Sequence, residues 1–428
     1  MTTKPTKKIT ACRVCGNRSL HNVVNLGNQA VSGFVKSTTS SQTYPLSLIL
    51  CTKCGLVQLA HAAVPAISLY RTYWYKSGVN ASMRNALRDI VVSIKKRIRV
   101  RKKDIVLDIG ANDGTLLGFW GTTVTRIGFE PARNLASEAK TLATHIQNDF
   151  FSQTAFNTIT NGKKATVITT IAMFYDLEDP HSFVRDVSTS LAQDGVWVIQ
   201  MASLLSTVTH TMFDNICHEH IEHYSLHSLE YVLNLYDLSV VDIEENDVNG
   251  GSIRVYVMKN SAMKQYRYKD AQRRIRRYRT KETRAKLTSP ATYLAFRTRI
   301  ESIKTITRSF ILNEIKRGKI VFGYGASTKG NTLLQYYKLT KNELTAIAER
   351  NPSKWGKKTV ETHIPIVSEQ DARNAHPDYF FVLPWHFKKE FIRRERTYLR
   401  SGGALFFPLP HPHIVQMVNG SITEHPVT

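Results

Sequence analysis

The stretch VLDIGANDG (Val106–Gly114) decides the fold of this chain. Its first residues are mostly apolar, which is typical of a short buried strand. Gly110 and Gly114 follow, and glycine at the carboxyl end of a strand lets the backbone approach a ligand closely. Their spacing differs from the dinucleotide-binding fingerprint. The stretch therefore predicts the strand, glycine-containing turn and helix of an α/β domain.

The segments on either side of this stretch alternate between strand-like and helical patterns. Residues 125–132 (TRIGFEPA), 165–175 (ATVITTIAMFY) and 195–201 (GVWVIQM) are short apolar runs that we interpret as further strands. Residues 238–247 and 251–259 are two β-rich runs with a short turn between them, which favours an antiparallel pair at the end of the sheet. Strands that alternate with helices indicate βαβ units, so we expect a mostly parallel, Rossmann-like sheet.

A second glycine-rich unit lies near the end of the chain. Residues 318–339 (GKIVFGYGASTKGNTLLQYYKL) again have the order strand, glycine-rich turn and helix. Backbone N–H groups at the start of such a helix bind phosphate, and Lys329 adds a positive charge there. We therefore predict four parts, which are a small module at 1–70, an α/β domain at 71–261, a basic helical linker at 262–318 and a second α/β domain at 319–428.

Four of the five cysteines occur in two pairs with the same spacing. A two-residue gap lets two thiolates point at one ion, and zinc takes four such ligands in a tetrahedron. Paired Cys-x-x-Cys turns in a chain without a secretory signal favour a metal site over disulfides. Because all four ligands would come from the protein, we expect a closed, structural Zn2+ site. The predicted ligands are Cys12, Cys15, Cys51 and Cys54.

The net charge of the chain is strongly positive, since 58 Lys and Arg against 34 Asp and Glu give +24. Much of this charge lies in residues 95–103 and 264–286. Such segments are either solvated helix faces or contacts for a polyanion, such as nucleic acid, an anionic membrane surface or an acidic partner. No apolar run approaches the roughly 18–20 residues of a membrane span, and the N-terminus has no apolar signal core. We therefore expect a cytoplasmic protein with no transmembrane segment.

Acidic and aromatic residues follow the next predicted strands of the first α/β domain. Glu130 ends the second strand, about 20 residues after the glycine-rich turn. A carboxylate at that place can accept both hydroxyl groups of a ribose. Asp149 and Phe150 come further along the chain, near the expected place of an adenine ring. Together these residues favour an adenosine-containing ligand.

The motifs around these residues resemble those of class I S-adenosylmethionine-dependent methyltransferases, in LDIGANDGTLL (107–117), GFEPA (128–132) and the Asp149-Phe150 pair. With the N-terminal cysteine pairs, HEHIEHYS (218–225) and GYGASTKGNT (323–332), nearly the whole chain is similar to the sugar C-methyltransferases. The resemblance implies S-adenosylmethionine as cofactor. It also implies that the substrate is a nucleotide-linked deoxysugar, methylated on a carbon beside its ketone.

Methyl transfer to such a carbon requires a base, because the carbon must lose a proton before it attacks. Histidine is the usual base near neutral pH, and an enolate oxygen needs a donor or a cation nearby. The resemblance implies that His220 is the base and that Glu219 orients it or handles a second proton. The other residues that we predict to take part in catalysis are His218, Tyr224 and His181.

The same resemblance assigns two sets of binding residues. Lys329 is expected near the diphosphate of the substrate. The residues predicted to bind the cofactor are Asp108, Gly110, Asn112, Gly114, Glu130, Asp149 and Phe150. The residues predicted to bind the substrate are Tyr75, Arg254, Tyr324, Lys329, Asn331 and Trp385.

The chain departs from the resemblance at Cys217, where the family commonly has a tyrosine before the His-Glu-His segment. A thiol cannot reproduce the reach and the hydrogen bond of a phenol. Tyr73, Tyr75 and Tyr224 are candidates for the missing donor. Two other functions stay open at this point. One is methylation of RNA, protein or a lipid-linked sugar, and the other is a catalytically inactive binding protein built on a methyltransferase core.

Overall fold

The computed structural model describes residues 6–37, 41–62, 64 and 69–428, so parts of the predicted 1–70 module lie outside the described residues. In this N-terminal region two long strands pair antiparallel along one side of a small four-stranded sheet. The strands of the region are β1 (Lys7–Lys8), β2 (Leu20–Ala30), β3 (Phe34–Val35), β4 (Thr43–Cys51), β5 (Val57–Leu59) and β6 (His61–Ala62).

A seven-stranded sheet follows, and its first strand is the stretch that the sequence analysis singled out. All five residues of this strand are buried, as expected of a central parallel strand that is covered on both faces. The strands of this region are β7 (Ile105–Ile109), β8 (Thr125–Phe129), β9 (His145–Gln147), β10 (Ala165–Ile171), β11 (Leu191–Ala202), β12 (Glu222–His223), β13 (Leu238–Asn246) and β14 (Ser252–Lys259), of which β12 belongs to another sheet.

The spatial order of this sheet is β13-β14-β11-β10-β7-β8-β9. The five strands from β9 to β11 are parallel, and the chain reverses its direction of winding between β7 and β10. The predicted antiparallel pair is present at the end of the sheet, where β14 lies between β11 and β13. Ligands of doubly wound sheets bind outside the carboxyl ends of the strands at this reversal. The glycine-rich turn after β7 lies at that place.

Apolar residues lie on both faces of the sheet. Val106 packs into the core that α1 covers, whereas its neighbour Leu107 belongs to the core on the other face. Helix α1 buries Ile90, Val91 and Ile94, the stripe that its periodicity predicts. The helices of this region are α1 (Ala81–Arg97), α2 (Thr115–Gly118), α3 (Arg133–Ala139), α4 (Gln153–Thr160), α5 (Pro180–Ser190), α6 (Leu204–Thr209) and α7 (Leu226–Asn234).

Two helices, α8 (Ala271–Ala285) and α9 (Pro290–Lys316), follow the first sheet along the chain. Helix α8 buries one face at helical spacing and exposes an arginine-rich face on the other side. The carboxylate of Asp242 on β13 is fully buried and pairs with both Arg97, at 2.9 Å, and Arg274, at 2.6 Å. The two basic segments of the sequence therefore meet at one carboxylate.

The C-terminal region contains a second seven-stranded sheet, with the order β18-β16-β15-β19-β20-β21-β22. Its first five strands are parallel and its last two form an antiparallel hairpin. The elements are β15 (Val321–Tyr324), α10 (Thr328–Tyr337), β16 (Ile347–Glu349), β17 (Lys358–Thr359), β18 (Ile366–Ser368), α11 (Glu369–Asn374), β19 (Tyr379–Val382), α12 (Lys388–Arg394), α13 (Arg396–Arg400), β20 (Ala404–Phe407), β21 (His413–Val418) and β22 (Ser421–Pro426).

The N-terminal region pairs with both of the other regions. Strand β12 extends its sheet beside β5, and β17 pairs with β3. The predicted fold class, a cysteine module with two Rossmann-like α/β units, is confirmed. The boundaries of the four predicted parts stay predictions. Over the described ranges, no helix is both long enough and apolar enough to cross a membrane.

Candidate active site

A cavity of about 390 Å³ lies at the carboxyl ends of β7 and β8. Its wall combines the turn after β7 with an aromatic segment at 70–77, the residues that follow β10 and a loop at 217–220. The second α/β unit contributes Thr328 and Lys329 from the start of α10. Side chains from distant parts of the sequence therefore face one shared space.

Glu130 follows β8, and both oxygens of its carboxylate are held by the backbone. Oε2 accepts the N–H of Asn112 and Oε1 accepts the N–H of Ala132, each at 2.7 Å. Burial raises the pKa of Glu130, and these two hydrogen bonds oppose the rise. Each oxygen keeps a second lone pair. The carboxylate is therefore fixed at the cavity wall with acceptor capacity left for two hydroxyl groups.

Asp108 and Gly110 bring the end of β7 to the cavity. The Asp108 carboxylate accepts the hydroxyl of Thr169 at 2.6 Å, and burial raises its pKa to about 7. Gly110 has a φ of +77°, and a Cβ atom there would lie 3.1 Å from Met173 Cγ. A larger residue would be strained at this turn, so glycine keeps the backbone close to the cavity.

Asp149 and Phe150 lie at the rim of the cavity and share one partner. The Asp149 carboxylate pairs with the guanidinium of Arg71 at 2.9 Å. The same guanidinium lies 5.5 Å from the centre of the Phe150 ring. Arg71 therefore fixes both residues of the acid-aromatic pair, although the sequence analysis did not single it out.

Hydrogen bonds join the aromatic segment to the glycine-rich turn after β7. The side chain of Asn112 accepts the N–H of Ser77 at 2.9 Å, and that of Asp113 accepts the N–H of Gly78 at 2.7 Å. The carbonyl of Tyr75 accepts the side-chain amide of Asn112 at 3.2 Å. These bonds hold the segment as a cover over this end of the cavity.

His220 lines the cavity, and its two ring nitrogens have different surroundings. Its Nδ1 lies 2.7 Å from the carbonyl oxygen of Asn215, which only accepts, so Nδ1 carries the proton and Nε2 is the free acceptor. The ring packs edge-on against Tyr175, with 4.5 Å between ring centres. Burial, followed by the charges of Lys329 and His223, lowers the pKa of His220 to about 3. The imidazole is therefore neutral near pH 7.

Two carboxyl groups line the same part of the cavity. Burial raises the pKa of Glu219, and the nearby thiol of Cys217 opposes this rise. Burial also raises the pKa of Asp176, with a further contribution from the charge of Glu219. The Oδ1 atom of Asp176 is buried and has no hydrogen-bond partner in the structure. Two carboxyl groups with raised pKa values therefore line the cavity that His220 also lines.

Lys329 reaches the cavity from the second α/β unit. Its ammonium group donates a hydrogen bond to the side-chain oxygen of Asn215. Burial lowers the pKa of Lys329, and the carboxylate of Asp214 opposes this. Asn215 thus holds His220 through its main chain and Lys329 through its side chain. A base and a cation from two α/β units are fixed by one residue.

Eight residues of the predicted site lie outside the wall of this cavity. His181 donates through Nε2 to the carbonyl of Val14 at 2.8 Å, and its Nδ1 lies 2.9 Å from the hydroxyl of Tyr236. The Tyr224 hydroxyl donates to Glu222 at 2.7 Å, in the buried core. The other contacts are His218 packed against Tyr44, Arg254 with Glu244, Tyr324 with Glu395, Asn331 with Ser327, Trp385 with Asp214, and Gly114 against Ala139.

The polar cavity residues that the predicted site did not include are exemplified by Tyr70, Tyr175 and Asp176. Tyr175 and Asp176 come shortly after β10, which neighbours β7 across the reversal of winding. The rule that ligands bind beyond such strand ends could have found these two residues. Tyr70 lies in a segment without helical or strand periodicity, so only the folded chain shows where its ring points.

The four paired cysteines come together in the N-terminal module. Their sulfur atoms all lie within 4.8 Å of one another, with 3.4 Å between Cys15 and Cys51 and 3.6 Å between Cys12 and Cys54. Zinc–sulfur bonds of about 2.3 Å in a tetrahedron place the sulfurs about 3.8 Å apart. Four thiols at this separation fit a closed zinc site.

Comparisons with known proteins agree with this architecture. Family models match a zinc binding domain at residues 12–68, a methyltransferase domain at residues 79–243 and a C-methyltransferase C-terminal domain at residues 247–410. A protein from Streptomyces niveus, "C-methyltransferase NovU", is 30% identical over 415 residues, which are 96% of this chain and 97% of that protein.

Two solved structures match the chain over less than half its length. The plantazolicin methyltransferase BpumL in complex with SAH is 12% identical with a TM-score of 0.33, over 41% of this chain and 84% of that chain. An S-adenosylmethionine-dependent methyltransferase from Clostridium acetobutylicum is 13% identical with a TM-score of 0.32, over 42% of this chain and 93% of that chain. On the full-length similarity to NovU, the chain belongs to the C-methyltransferase family and is an S-adenosylmethionine-dependent enzyme.

Proposed function

We propose that this enzyme methylates a carbon beside the ketone of a nucleotide-linked deoxysugar, with His220 as the base. The proposal rests most directly on the hydrogen bond between His220 Nδ1 and the Asn215 carbonyl. This bond fixes the tautomer in which Nε2 is unprotonated. A neutral imidazole that lines the cavity leaves Nε2 free to accept the proton on the carbon, while burial also makes this nitrogen a weaker base.

Residues at the other end of the cavity would hold the cofactor. Glu130 keeps an acceptor site on each oxygen, which suits the two hydroxyl groups of a ribose. Asp149 and Phe150 offer an acceptor and a ring for the adenine. When bound there, S-adenosylmethionine supplies the methyl group. These residues bind and orient the cofactor, while the aromatic cover excludes water from the reacting end.

Lys329 would stabilise the enolate oxygen that forms when His220 removes the proton. A cation fixed near developing negative charge lowers the barrier because it does not reorganise during the step. Lys329 is buried and held by Asn215, the residue that also orients His220. This assignment differs from the diphosphate contact that the sequence suggested, since Lys329 lies in the same cavity as the base.

The departure at Cys217 fits this arrangement. The thiol lines the cavity together with Glu219, in the place where the family commonly has a phenol. Tyr73 and Tyr175 line the same cavity and carry phenol groups, whereas the Tyr70 hydroxyl already donates to the carbonyl of Glu219 at 3.2 Å. The loss of one donor at Cys217 is therefore compensated from the aromatic segment and the end of β10.

The substrate class is supported by the resemblance of the HEH and GYGASTKGN segments to the sugar C-methyltransferases. The start of α10 adds free N–H groups at the cavity, which suits the phosphates of a nucleotide-linked sugar. The cavity itself collects hydroxyl, carboxyl and ammonium groups, which are the partners that a sugar requires.

The test uses a nucleoside diphosphate-linked 4-keto-6-deoxyhexose in heavy water. We expect the wild-type protein to exchange the hydrogen beside the ketone and to transfer the methyl group. The variant His220→Ala should lose both by about 10²–10⁴-fold, because general-base catalysis contributes that much. The exposed His227→Ala variant is the matched control and should keep both activities. Full turnover by His220→Ala would overturn the assignment of the base.

A further inference from the structure

The loop that carries the catalytic histidine is physically part of the cysteine module. Strand β12 begins two residues after His220. It pairs antiparallel with β5, so that Glu222 lies opposite Gln58. The N–H of Leu59 donates to the carbonyl of Ile221 at 2.8 Å. The residues after the base therefore form the outer strand of the module's sheet.

His218, two residues before His220, also contacts the cysteine module. The ring of His218 packs against Tyr44 with 5.9 Å between ring centres. Tyr44 belongs to β4, the strand beside β5 in the module's sheet. Residues before and after His220 in the sequence therefore contact the same cysteine module.

The first cysteine turn supplies two further ties. Arg13, between Cys12 and Cys15, donates to the side chain of Gln58 at 3.1 Å and to the carbonyl of Leu59 at 2.9 Å. These bonds connect β5 to the turn that carries two of the predicted metal ligands.

Val14 of the same turn accepts a hydrogen bond from His181, at the start of α5 in the methyltransferase unit. His181 is held in turn by the hydroxyl of Tyr236 at 2.9 Å. The cysteine turn is therefore joined both to the strand beside the loop and to the core of the methyltransferase unit. A shift of this turn would move both.

The cofactor end of the cavity lacks such ties. Among the described residues, Asp108 bonds to Thr169 and Asp149 to Arg71, and Glu130 accepts the backbone N–H groups of Asn112 and Ala132. None of their recorded hydrogen bonds reaches the cysteine module. The two ends of one cavity are thus supported by different parts of the chain.

We propose that the cysteine module is the scaffold of the catalytic loop, with Arg13 and His181 as positioning residues. Zinc on the four thiols fixes the two cysteine turns, these fix β5, and β5 holds residues 218–223 so that His220 faces the cavity. Metal occupancy then controls the placement of the base without controlling the binding of the cofactor. This inference rests on the proposed role of His220.

The first experiment compares the zinc-loaded protein with the same protein after removal of the metal by a chelator. We expect hydrogen exchange of the amides at 217–224 to become at least about tenfold faster, because strand pairing with β5 is lost. Exchange at 105–109 and the affinity for S-adenosylhomocysteine should change by less than about twofold. Unchanged exchange at 217–224, or an equal loss of affinity for S-adenosylhomocysteine, would overturn the proposal.

A second variant keeps the metal site intact. Arg13→Met removes the bonds to Gln58 and Leu59, whereas Arg18→Met removes an exposed arginine of the same module and is the matched control. We expect faster exchange at 217–224 and a kcat about tenfold lower in Arg13→Met, from loss of hydrogen bonds that each contribute about 1 kcal/mol. The affinity for S-adenosylhomocysteine should stay unchanged. Identical exchange and kcat in Arg13→Met and Arg18→Met would contradict the positioning role.

The two hypotheses fail in different ways. If His220→Ala keeps full turnover while Arg13→Met still loosens residues 217–224, the scaffold stands and the assignment of the base is wrong. If His220→Ala is inactive and Arg13→Met leaves the exchange of these residues unchanged, the base stands and the scaffold is overturned.

Discussion

The two seven-stranded sheets share the same order in their parallel strands, yet the spaces beyond their strand ends differ. In the first sheet Glu130 follows β8 and lines an open cavity. In the second sheet Glu349 ends the corresponding strand, β16, and its carboxylate lies 3.6 Å from the ammonium of Lys354. Lys354 also donates to the carbonyl of Ala326 in the second glycine-rich turn, at 2.7 Å. The chain therefore fills this second crevice with its own lysine.

The difference shows that strand order alone does not make a cofactor site. A Cβ atom at Gly110 would lie 3.1 Å from the side chain of Met173, whereas at Gly325 in the second turn it would lie 2.6 Å from the ring of Pro384. The second unit instead directs Lys329 into the cavity of the first. One doubly wound unit would bind the cofactor, and the other would supply a charge for the chemistry.

The largest expected effect comes from removing the charge of Lys329. Lys329→Met should lower kcat by about 10²–10³-fold, the usual loss when one stabilising group of an oxyanion is removed. Its affinity for S-adenosylhomocysteine, measured by calorimetry, should change by less than about twofold. The exposed Lys341→Met is the control and should behave as wild type. An equal loss of affinity in Lys329→Met would place this lysine at the cofactor instead.

The next largest effect distinguishes Glu130 from Glu349, the acids at corresponding strand ends, by their contribution to cofactor affinity. Glu130→Gln should weaken S-adenosylhomocysteine by about 30-fold, or about 2 kcal/mol, because an amide cannot accept on both atoms. Glu349→Gln should change this affinity by less than about twofold, since Lys354 already occupies that carboxylate. Calorimetric titration of the two variants under the same conditions makes the comparison. Equal losses in the two would mean that both crevices bind the cofactor.

A smaller effect is expected from emptying the second crevice. Lys354→Met leaves the Glu349 carboxylate buried with one partner fewer, so the free energy of unfolding should fall by about 1–2 kcal/mol. The measurement is the urea midpoint, with Lys341→Met as the control. A new cofactor site in Lys354→Met, seen as a second equivalent of S-adenosylhomocysteine, would show that the lysine alone closes this crevice.

The smallest effect concerns pH. Burial, followed by the charge of Lys329, lowers the pKa of His220 to about 3, so the imidazole stays neutral and able to accept a proton as pH falls through 6.5. Lys329→Met removes a repulsive charge, and the pKa of His220 should then rise by about one unit or less. The loss of the neutral base on acidification would begin at a higher pH. Titration of the His220 imidazole by 15N NMR measures the shift directly, and a fall in pKa would contradict it.

The sequence was sufficient to predict the fold class. Most residues that it marked for the cofactor line one cavity, and their role in binding stays a prediction. Residues such as Asp108, Gly110 and Glu130 follow strands whose apolar runs are local signals, so their positions at one sheet edge follow from topology. The four cysteines were predictable for a similar reason, because their spacing is itself the signal.

The catalytic end depended on contacts that no local pattern records. The sequence marked His218, Tyr224 and His181 as catalytic candidates. In the structure His218 and His181 contact the cysteine module, and Tyr224 is buried with its hydroxyl bonded to Glu222. Their neighbours come from residues far away in the chain. In contrast, Asp176 and Tyr175 line the cavity and lacked any motif of their own. Only the folded chain distinguishes a histidine that faces a cavity from one that braces a loop.

The stoichiometry of cofactor binding tests the central comparison most directly. Calorimetric titration of the zinc-loaded protein with S-adenosylhomocysteine should give one site per chain, and this site should be weakened by Glu130→Gln but not by Glu349→Gln. Two sites per chain, or one site that is lost in Glu349→Gln and kept in Glu130→Gln, would contradict the account.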